Sequence, residues 1–244
     1  MLRKPLVEWA RNEPASRPRR RHDRRVSKLL APILVTLALL TACSAQSDSD
    51  PGAVANVHEN NPDGLHGAVL PEPYQLDSLT LTNSEGKQVA VAGELTKPIT
   101  LVFFGYTSCP DICQVVMANL TAAVARLGDD AKGKVGMLFI TSDPATDDPA
   151  TLRRYLDHFD PSFEGLTGSL ADTKTVAHSL GVAIEKGDKL PSGGYAVAHG
   201  TQVLGVLPDG SAPVVWNDSI SSKDLAADLT TIVTEGVPTR EETR

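Results

Sequence analysis

Apolar residues along this chain alternate between short continuous runs and helical spacing. Two continuous runs, 99–104 and 135–142, predict buried strands, because each is bounded by turn-forming residues. Apolar positions three or four apart predict four helices, at 110–127, 148–159, 173–180 and 222–233. Paired segments around polar turns predict two hairpins, 74–81 with 87–91 and 202–207 with 212–216. This order indicates an α/β fold, with a central mixed sheet flanked by helices and an N-terminal hairpin extension.

The first 42 residues follow a different pattern. Basic residues between Arg17 and Lys28 precede an apolar stretch, 29–40, that is too short to span a bilayer as a stable helix. The stretch ends in Leu40-Thr-Ala-Cys43, which resembles the bacterial lipobox. We expect residues 1–42 to be a lipoprotein signal peptide and the lipid on Cys43 to anchor an exported domain outside the cell membrane. An uncleaved anchor and an ordinary secretory signal are the alternatives.

Composition then divides the rest of the chain. Residues 43–65 are rich in Ser, Asp, Asn, Gly and Pro, which predicts a flexible tether. Residues 66–236 suffice for one well-buried domain, and residues 237–244 form a C-terminal tail. His58 and His66 lie near the end of the tether, where solvated side chains are expected rather than metal ligands.

Export changes the charge of the protein. Residues 1–42 hold 10 of the 23 Lys and Arg and 3 of the 30 Asp and Glu, so the remainder carries 13 basic and 27 acidic residues, a formal net charge of −14. This acidic balance argues against nucleic acid as a partner and against binding of anionic lipid by charge. Membrane attachment therefore has to come from the lipid.

The candidate chemistry lies in 105–113, Gly-Tyr-Thr-Ser-Cys-Pro-Asp-Ile-Cys. Cys109 and Cys113 follow the first predicted strand and stand at i and i+4 where the first predicted helix starts, so both sulfurs can share a ligand or a bond. Besides Cys43 they are the only cysteines of the chain. In an oxidising compartment such a pair is a disulfide or a metal site. A purely structural disulfide across so short a loop would stabilise little.

His199 is the third candidate ligand, just before the predicted strand 202–207. The element order resembles a thioredoxin-like fold, in which this junction faces the dithiol and thiol-exchange enzymes generally carry a cis-proline. Two thiolates and an imidazole suit Cu(I), the imidazole also allows Cu(II), and zinc usually takes a fourth ligand. A histidine hydrogen-bonded at a strand edge is the alternative. We expect Met117 to be core and His158 and His178 to be solvated or capping.

Four sequence blocks resemble the Sco/SenC family. They are 105–113, Ser142-Asp-Pro-Ala-Thr-Asp-Asp-Pro149, Phe163-Glu-Gly-Leu-Thr-Gly168, and the segment around His199 leading to Pro208-Asp-Gly210. Members are copper-binding thioredoxin-fold factors that assemble the copper A centre of cytochrome c oxidase. The resemblance implies that Cys109, Cys113 and His199 bind copper and that the Asp143 segment supports the site. Gln114 replaces a usual proline, and Ala198 a usual aspartate that could be a partner of the imidazole.

Three functions remain open on these residues. The first is a copper chaperone that delivers copper to the copper A subunit of the oxidase and is loaded by other extracytoplasmic copper chaperones. The second is a thiol–disulfide reductase that keeps the partner's cysteines reduced through a Cys109–Cys113 disulfide. The third is a peroxide-reducing thiol enzyme, suggested by the fold only.

Overall fold

The computed structural model describes residues 64–189 and 195–238. The predicted signal peptide, Cys43, nearly all of the predicted tether and most of the predicted tail lie outside these ranges. Within the described ranges, no helix is both long enough and apolar enough to cross a membrane.

Strands and helices alternate through most of the described chain. The strands are β1 (Ala68–Gln75), β2 (Thr80–Asn83), β3 (Gln88–Ala90), β4 (Ile99–Gly105), β5 (Val135–Thr141), β6 (Glu164–Thr167), β7 (Ile184–Lys189), β8 (Tyr195–His199), β9 (Val203–Val206) and β10 (Ser211–Trp216). The helices are α1 (Ile112–Arg126), α2 (Asp129–Lys132), α3 (Pro149–Asp157), α4 (Leu170–Ser179) and α5 (Ser222–Glu235). A 3-10 turn, Val91–Glu94, follows β3.

Eight strands form one sheet in the order β1-β10-β9-β4-β5-β6-β2-β3. Strand β4 is parallel to β5 and β5 to β6, whereas the other pairs are antiparallel. Strands β7 and β8 form a separate antiparallel pair. The predicted mixed sheet flanked by helices is confirmed.

Strand β4 is buried along its whole length because helices cover both faces of the sheet. Leu101 and Phe103 point into a core shared with α1, α3 and α5, while Val102 and Phe104 point into a second core shared with α4. The continuous apolar run that predicted this strand therefore reflects burial on two sides.

The segments that carry the candidate chemistry lie together at one end of the central strand β4. Gly105, at the end of β4, pairs with Thr141, at the end of the parallel strand β5. Strand β9 runs the other way, so its first residue, Val203, pairs with Phe103. The loops after β4 and β5 and the segment before β9 consequently meet at the carboxyl end of β4.

The predicted first hairpin is partly wrong. Tyr74 belongs to β1, which pairs with β10 far from β2, whereas the hairpin itself joins β2 to β3. Two prolines, Pro71 and Pro73, lie in β1 where its register shifts between Val69 and Tyr74. Proline lacks the N–H that an inner strand needs, so these positions fit an edge strand.

Helix α1 begins at Ile112 rather than at Pro110, with Asp111 at the N-cap. The first cysteine therefore precedes the helix. Strands β6, β7 and β8 and the short helix α2 are additional elements that the periodicity did not predict.

Candidate metal centre

The two cysteines lie on either side of the start of α1. Cys109 is in the turn after β4, where its backbone N–H donates to the carbonyl of Tyr106 at 3.2 Å, and Cys113 is the second residue of α1. Both are free thiols and both are buried, with 5% and 0% of their surface exposed. The interaction with the side chain of Cys109 is one of the causes that raise the pKa of Cys113. The turn and the helix start thus bring the sulfurs together, although only one sulfur is on the helix.

His199 faces the second thiol from the end of β8. Its Nε2 atom lies 3.6 Å from the sulfur of Cys113. Its Nδ1 atom lies 3.0 Å from the carbonyl oxygen of Gly200. Because a carbonyl can only accept, Nδ1 carries the proton and Nε2 presents its lone pair to the sulfur. Burial lowers the pKa of the imidazole, which keeps the ring neutral and able to bind a metal.

Two aromatic rings fix the orientation of this imidazole. The ring centroids of His199 and Phe103 are 6.2 Å apart at an interplanar angle of 77°. Those of His199 and Tyr106 are 5.9 Å apart at 89°. These edge contacts come from β4 and from the turn that leads to Cys109, so the same segment positions the histidine and the thiols.

The environment of Cys113 keeps its thiol protonated in the absence of a metal. Burial raises the pKa of this thiol far above its ordinary value, and the hydrogen bond with Cys109 raises it further. A backbone hydrogen bond from Tyr106 acts in the opposite direction and is weaker. A metal that binds here has to displace the thiol proton.

Two thiols and an imidazole fit a soft metal ion. The sulfur of Cys113 and the Nε2 atom of His199 already lie at a distance that one ion can bridge. At zinc-like bond lengths of roughly 2.3 Å to sulfur and 2.0 Å to nitrogen, two ligands of one ion lie at most about 4.3 Å apart. The observed 3.6 Å between Cys113 and His199 lies within that limit. The described residues hold no group of three or more His, Cys, Asp or Glu side chains already arranged for an ion. Cys109, in the turn just before α1, is the third donor.

The loop after β5 supports the dithiol through Asp147. Its carboxylate is fully buried and accepts hydrogen bonds from the backbone N–H and hydroxyl of Thr107 and from the hydroxyl of Thr141. The carboxylate of Asp143 accepts from Thr146 within its own turn, and Asp148 caps α3. The resemblance to the family implied a supporting role for the Asp143 segment, but three acidic residues in one loop give no signal as to which one is buried.

Three other candidate ligands lie where the sequence predicted. Met117 is fully buried in the core beside α5. His158 and His178 are exposed on or beside α3 and α4. His66 is different from the expected solvated side chain, because its Nδ1 atom lies 2.8 Å from the buried carboxylate of Asp228.

A mixed sheet covered by helices on both faces, with two thiols at the end of its central strand, defines a thioredoxin-like protein. The family model SCO1/SenC matches residues 72–234, more than half of the chain. The chain belongs to the SCO1/SenC family, as the sequence blocks indicated.

Individual relatives agree with this assignment. A mitochondrial SCO2 homolog of Danio rerio is 40% identical over 111 residues, which are 45% of this chain and 40% of that protein. The copper-bound structure of Bradyrhizobium japonicum ScoI is 34% identical with a TM-score of 0.57, and the match covers 64% of this chain and 98% of that one. Copper-bound yeast Sco1 is 28% identical with a TM-score of 0.61, covering 68% and 92%. The chain spans about half the length of the curated relatives it matches.

Proposed function

We propose that this chain is a copper chaperone that binds one copper ion through Cys109, Cys113 and His199. It delivers this ion to the copper A centre of cytochrome c oxidase during assembly of the oxidase. The observation that carries the proposal is the lone pair of His199 Nε2, held 3.6 Å from the sulfur of Cys113. Membership of the SCO1/SenC family and similarity to two structures solved with copper bound support it.

The donor set favours the reduced ion. Two thiolates and one imidazole form a soft set suited to Cu(I), and the imidazole also accommodates Cu(II). Binding displaces the protons of the two thiols, while the imidazole is already neutral. The carbonyl of Gly200 holds the second ring nitrogen, so the ring keeps its orientation as the ion enters and leaves.

Transfer to a partner takes place from the side of Cys109. Cys113 is fully buried, whereas Cys109 is slightly exposed and is flanked by the exposed Ser108 and Pro110. A three-coordinate copper ion has a fourth coordination position open. A thiolate of the partner can bind there before the ligands of this chain dissociate. A partner cysteine therefore replaces Cys109 first.

The cellular setting is part of the same proposal. A lipid on Cys43 holds the protein at the membrane, with its domain on the extracytoplasmic side. There it meets the copper A subunit of the oxidase and the extracytoplasmic copper chaperones that load it.

A thiol–disulfide reductase that keeps the partner's copper-ligand cysteines reduced is the second candidate. The placement of Cys109 and Cys113 on either side of the start of α1 favours it, because a cysteine pair at a helix start can cycle between dithiol and disulfide. This activity needs both cysteines but does not need His199.

Anaerobic Cu(I) titration of the reduced full chain in detergent tests the first function. Wild type should bind one equivalent tightly, and Cys109→Ser, Cys113→Ser and His199→Ala should each weaken binding. His178→Ala, which removes an exposed histidine of α4, is the matched control. Unchanged binding in the three variants would refute these ligands. Turnover of a disulfide substrate that survives His199→Ala would favour the reductase.

A further inference from the structure

The loop that follows β10, residues 217–220, is attached to helix α1. The side-chain amide of Asn119 donates a hydrogen bond to the backbone carbonyl of Ile220, and Ile220 packs against the core that holds both thiols. The loop also bonds within itself, since the N–H of Ile220 donates to the carbonyl of Asn217 at 3.2 Å. It therefore keeps a fixed position relative to α1, the helix on which Cys113 lies.

The same loop is attached to the segment that carries the imidazole. The carboxylate of Asp218 accepts a hydrogen bond at 2.5 Å from the hydroxyl of Thr201, which lies two positions after His199. Asp218 and Thr201 are both partly buried, so this bond is shielded in part from water. One loop thus connects the helix of the second thiol to the neighbourhood of the histidine.

Thr201 adjoins the group that orients the imidazole. The carbonyl that lies 3.0 Å from His199 Nδ1 belongs to the peptide bond between Gly200 and Thr201. Before this peptide, the N–H of Gly200 donates to the carbonyl of Ala183 at 3.2 Å. After it, the hydroxyl of Thr201 donates to Asp218. Without the second restraint the peptide could rotate, because glycine allows the widest range of backbone angles.

We propose that Thr201 is a positioning residue of the copper site and that Asp218 fixes its hydroxyl. Through the peptide that Thr201 shares with Gly200, the ring of His199 keeps its Nδ1 proton bonded. The Nε2 lone pair then stays directed at Cys113. The inference rests on the copper-binding function proposed above.

Two substitutions at Thr201 separate the hydroxyl from the rest of the side chain. Thr201→Val keeps nearly the same shape and removes the hydroxyl, whereas Thr201→Ser keeps the hydroxyl. Loss of a group that orients a metal-binding histidine through its other ring nitrogen weakens metal binding, so Cu(I) affinity should fall about tenfold in Thr201→Val. Thr201→Ser should bind as wild type does. Asp218→Ala removes the acceptor and should reproduce Thr201→Val.

Ser219→Ala is the matched control in the same loop. The exposed hydroxyl of Ser219 donates to the side chain of Asn217 at 2.8 Å. Its loss removes a hydrogen bond of the loop and leaves the bond between Thr201 and Asp218 in place. Cu(I) affinity of this variant should therefore equal that of wild type.

A double-mutant cycle with His199→Ala gives a readout that a merely structural role would not move. If Thr201 acts on copper through the imidazole, Thr201→Val should have no further effect once the imidazole is absent. A structural role would lower the affinity by the same factor with and without His199. All Cu(I) affinities are measured anaerobically on reduced full chains in detergent, against a competing chelator.

The imidazole of His199 reports on the same role in the metal-free protein. Nitrogen NMR spectra of the ring distinguish a proton on Nδ1 from a proton on Nε2. We expect the proton on Nδ1 in wild type and in Thr201→Ser. Thr201→Val and Asp218→Ala should show a mixture of the two tautomers, because the carbonyl of Gly200 is then less well placed.

Three results would overturn the role of Thr201 and leave the copper-binding function intact. They are wild-type affinity in Thr201→Val, an equal fall in Ser219→Ala, and an equal fall with and without His199. An unchanged tautomer in Thr201→Val would also overturn the role, because Thr201 would then not orient the imidazole. A wild-type chain that binds no Cu(I) would overturn both the role and the function.

Discussion

The carboxylate of Asp147 accepts two hydrogen bonds from Thr107, which lies 40 positions earlier in the chain, at 3.0 Å from the backbone N–H and 2.6 Å from the hydroxyl. A third, from the hydroxyl of Thr141, measures 2.6 Å. Thr107 precedes Cys109 by two residues, and Thr141 ends β5. The carboxylate therefore fastens the cysteine-bearing turn to the neighbouring strand.

Asp147→Ala should loosen this turn. The substitution leaves the partly buried Thr107 N–H and hydroxyl and the buried Thr141 hydroxyl without an acceptor, so we expect a loss of about 2–3 kcal/mol in the free energy of unfolding. Cu(I) binding should weaken as well, because Cys109 is then less well positioned. Urea unfolding of the reduced protein and the anaerobic titration measure the two effects.

Asp143→Ala is the matched control for this prediction. Its carboxylate bonds with the exposed Thr146 within one turn, so its loss should cost less than about 1 kcal/mol and leave Cu(I) binding unchanged. Equal losses in the two variants would contradict the assignment of the supporting role to Asp147.

The two thiols should differ in reactivity. Cys113 is fully buried and burial raises its pKa, so little of it is thiolate near neutral pH, whereas Cys109 retains some exposure. We expect iodoacetamide to alkylate Cys109 more than about tenfold faster, because Cys113 is both closed to the reagent and held as the unreactive thiol. Tandem mass spectrometry of the reduced, metal-free protein after short exposures measures both rates. Equal rates would show that the helix start does not bury Cys113 as described.

Local pattern was enough to predict the strand, turn and helix around the dithiol. Strand β4 is a short apolar run, and α1 repeats its apolar positions at helical spacing. The approach of His199 to the thiols followed from the fold, because β9 returns antiparallel to β4 and begins beside its end. The strand and the helix thus depend on the local sequence pattern, and the position of His199 depends on the antiparallel pairing of β9 with β4.

The remaining parts of the site depend on packing between distant segments. Asp147 and Asp228 are ordinary acidic residues of a loop and a helix in the sequence, and only tertiary packing buries them against the cysteine-bearing turn and the N-terminal segment. Strand β7, Ile184–Lys189, has four charged residues among six, so no apolar alternation could predict it.

His66 fastens the start of the described chain to α5. The buried carboxylate of Asp228 accepts hydrogen bonds from the backbone N–H groups of His66 and Gly67 and from the indole of Trp216, and it also contacts His66 Nδ1. The hydrogen bond with Asp228 is the main cause that raises the pKa of His66 above its ordinary value. Burial opposes the shift.

The sign of the resulting pH dependence follows from this shift. A histidine whose pKa is higher in the folded state binds its proton more tightly there, so its contribution to stability is complete below about pH 6.5 and is lost as pH rises through the folded-state pKa. His66→Gln should remove that contribution, roughly 0.5 kcal/mol, because the side chain is half exposed and screened by water.

Urea unfolding of wild type and His66→Gln at pH values from 5.5 to 8.5, about 1.5 units either side of neutrality, measures this difference. The gap between the two proteins should be largest at the acidic end and should close as pH rises. His178→Gln, on the exposed face of α4, is the control. A gap that widens as pH rises would contradict the ion pair with Asp228.

Gln114→Pro should be tolerated. Gln114 is exposed and is the third residue of α1, and the first four N–H groups of a helix have no partner within it. Restoring the proline usual in the family should therefore cost less than about 1 kcal/mol and leave the copper stoichiometry unchanged. Ala118→Pro, exposed one turn later, should cost about 3 kcal/mol, because the N–H lost there bonds within the helix. Urea unfolding of both reduced variants measures the difference. Equal losses would mean that the N–H of Gln114 is engaged beside Cys113, and that this departure from the family acts on the metal centre rather than on the helix.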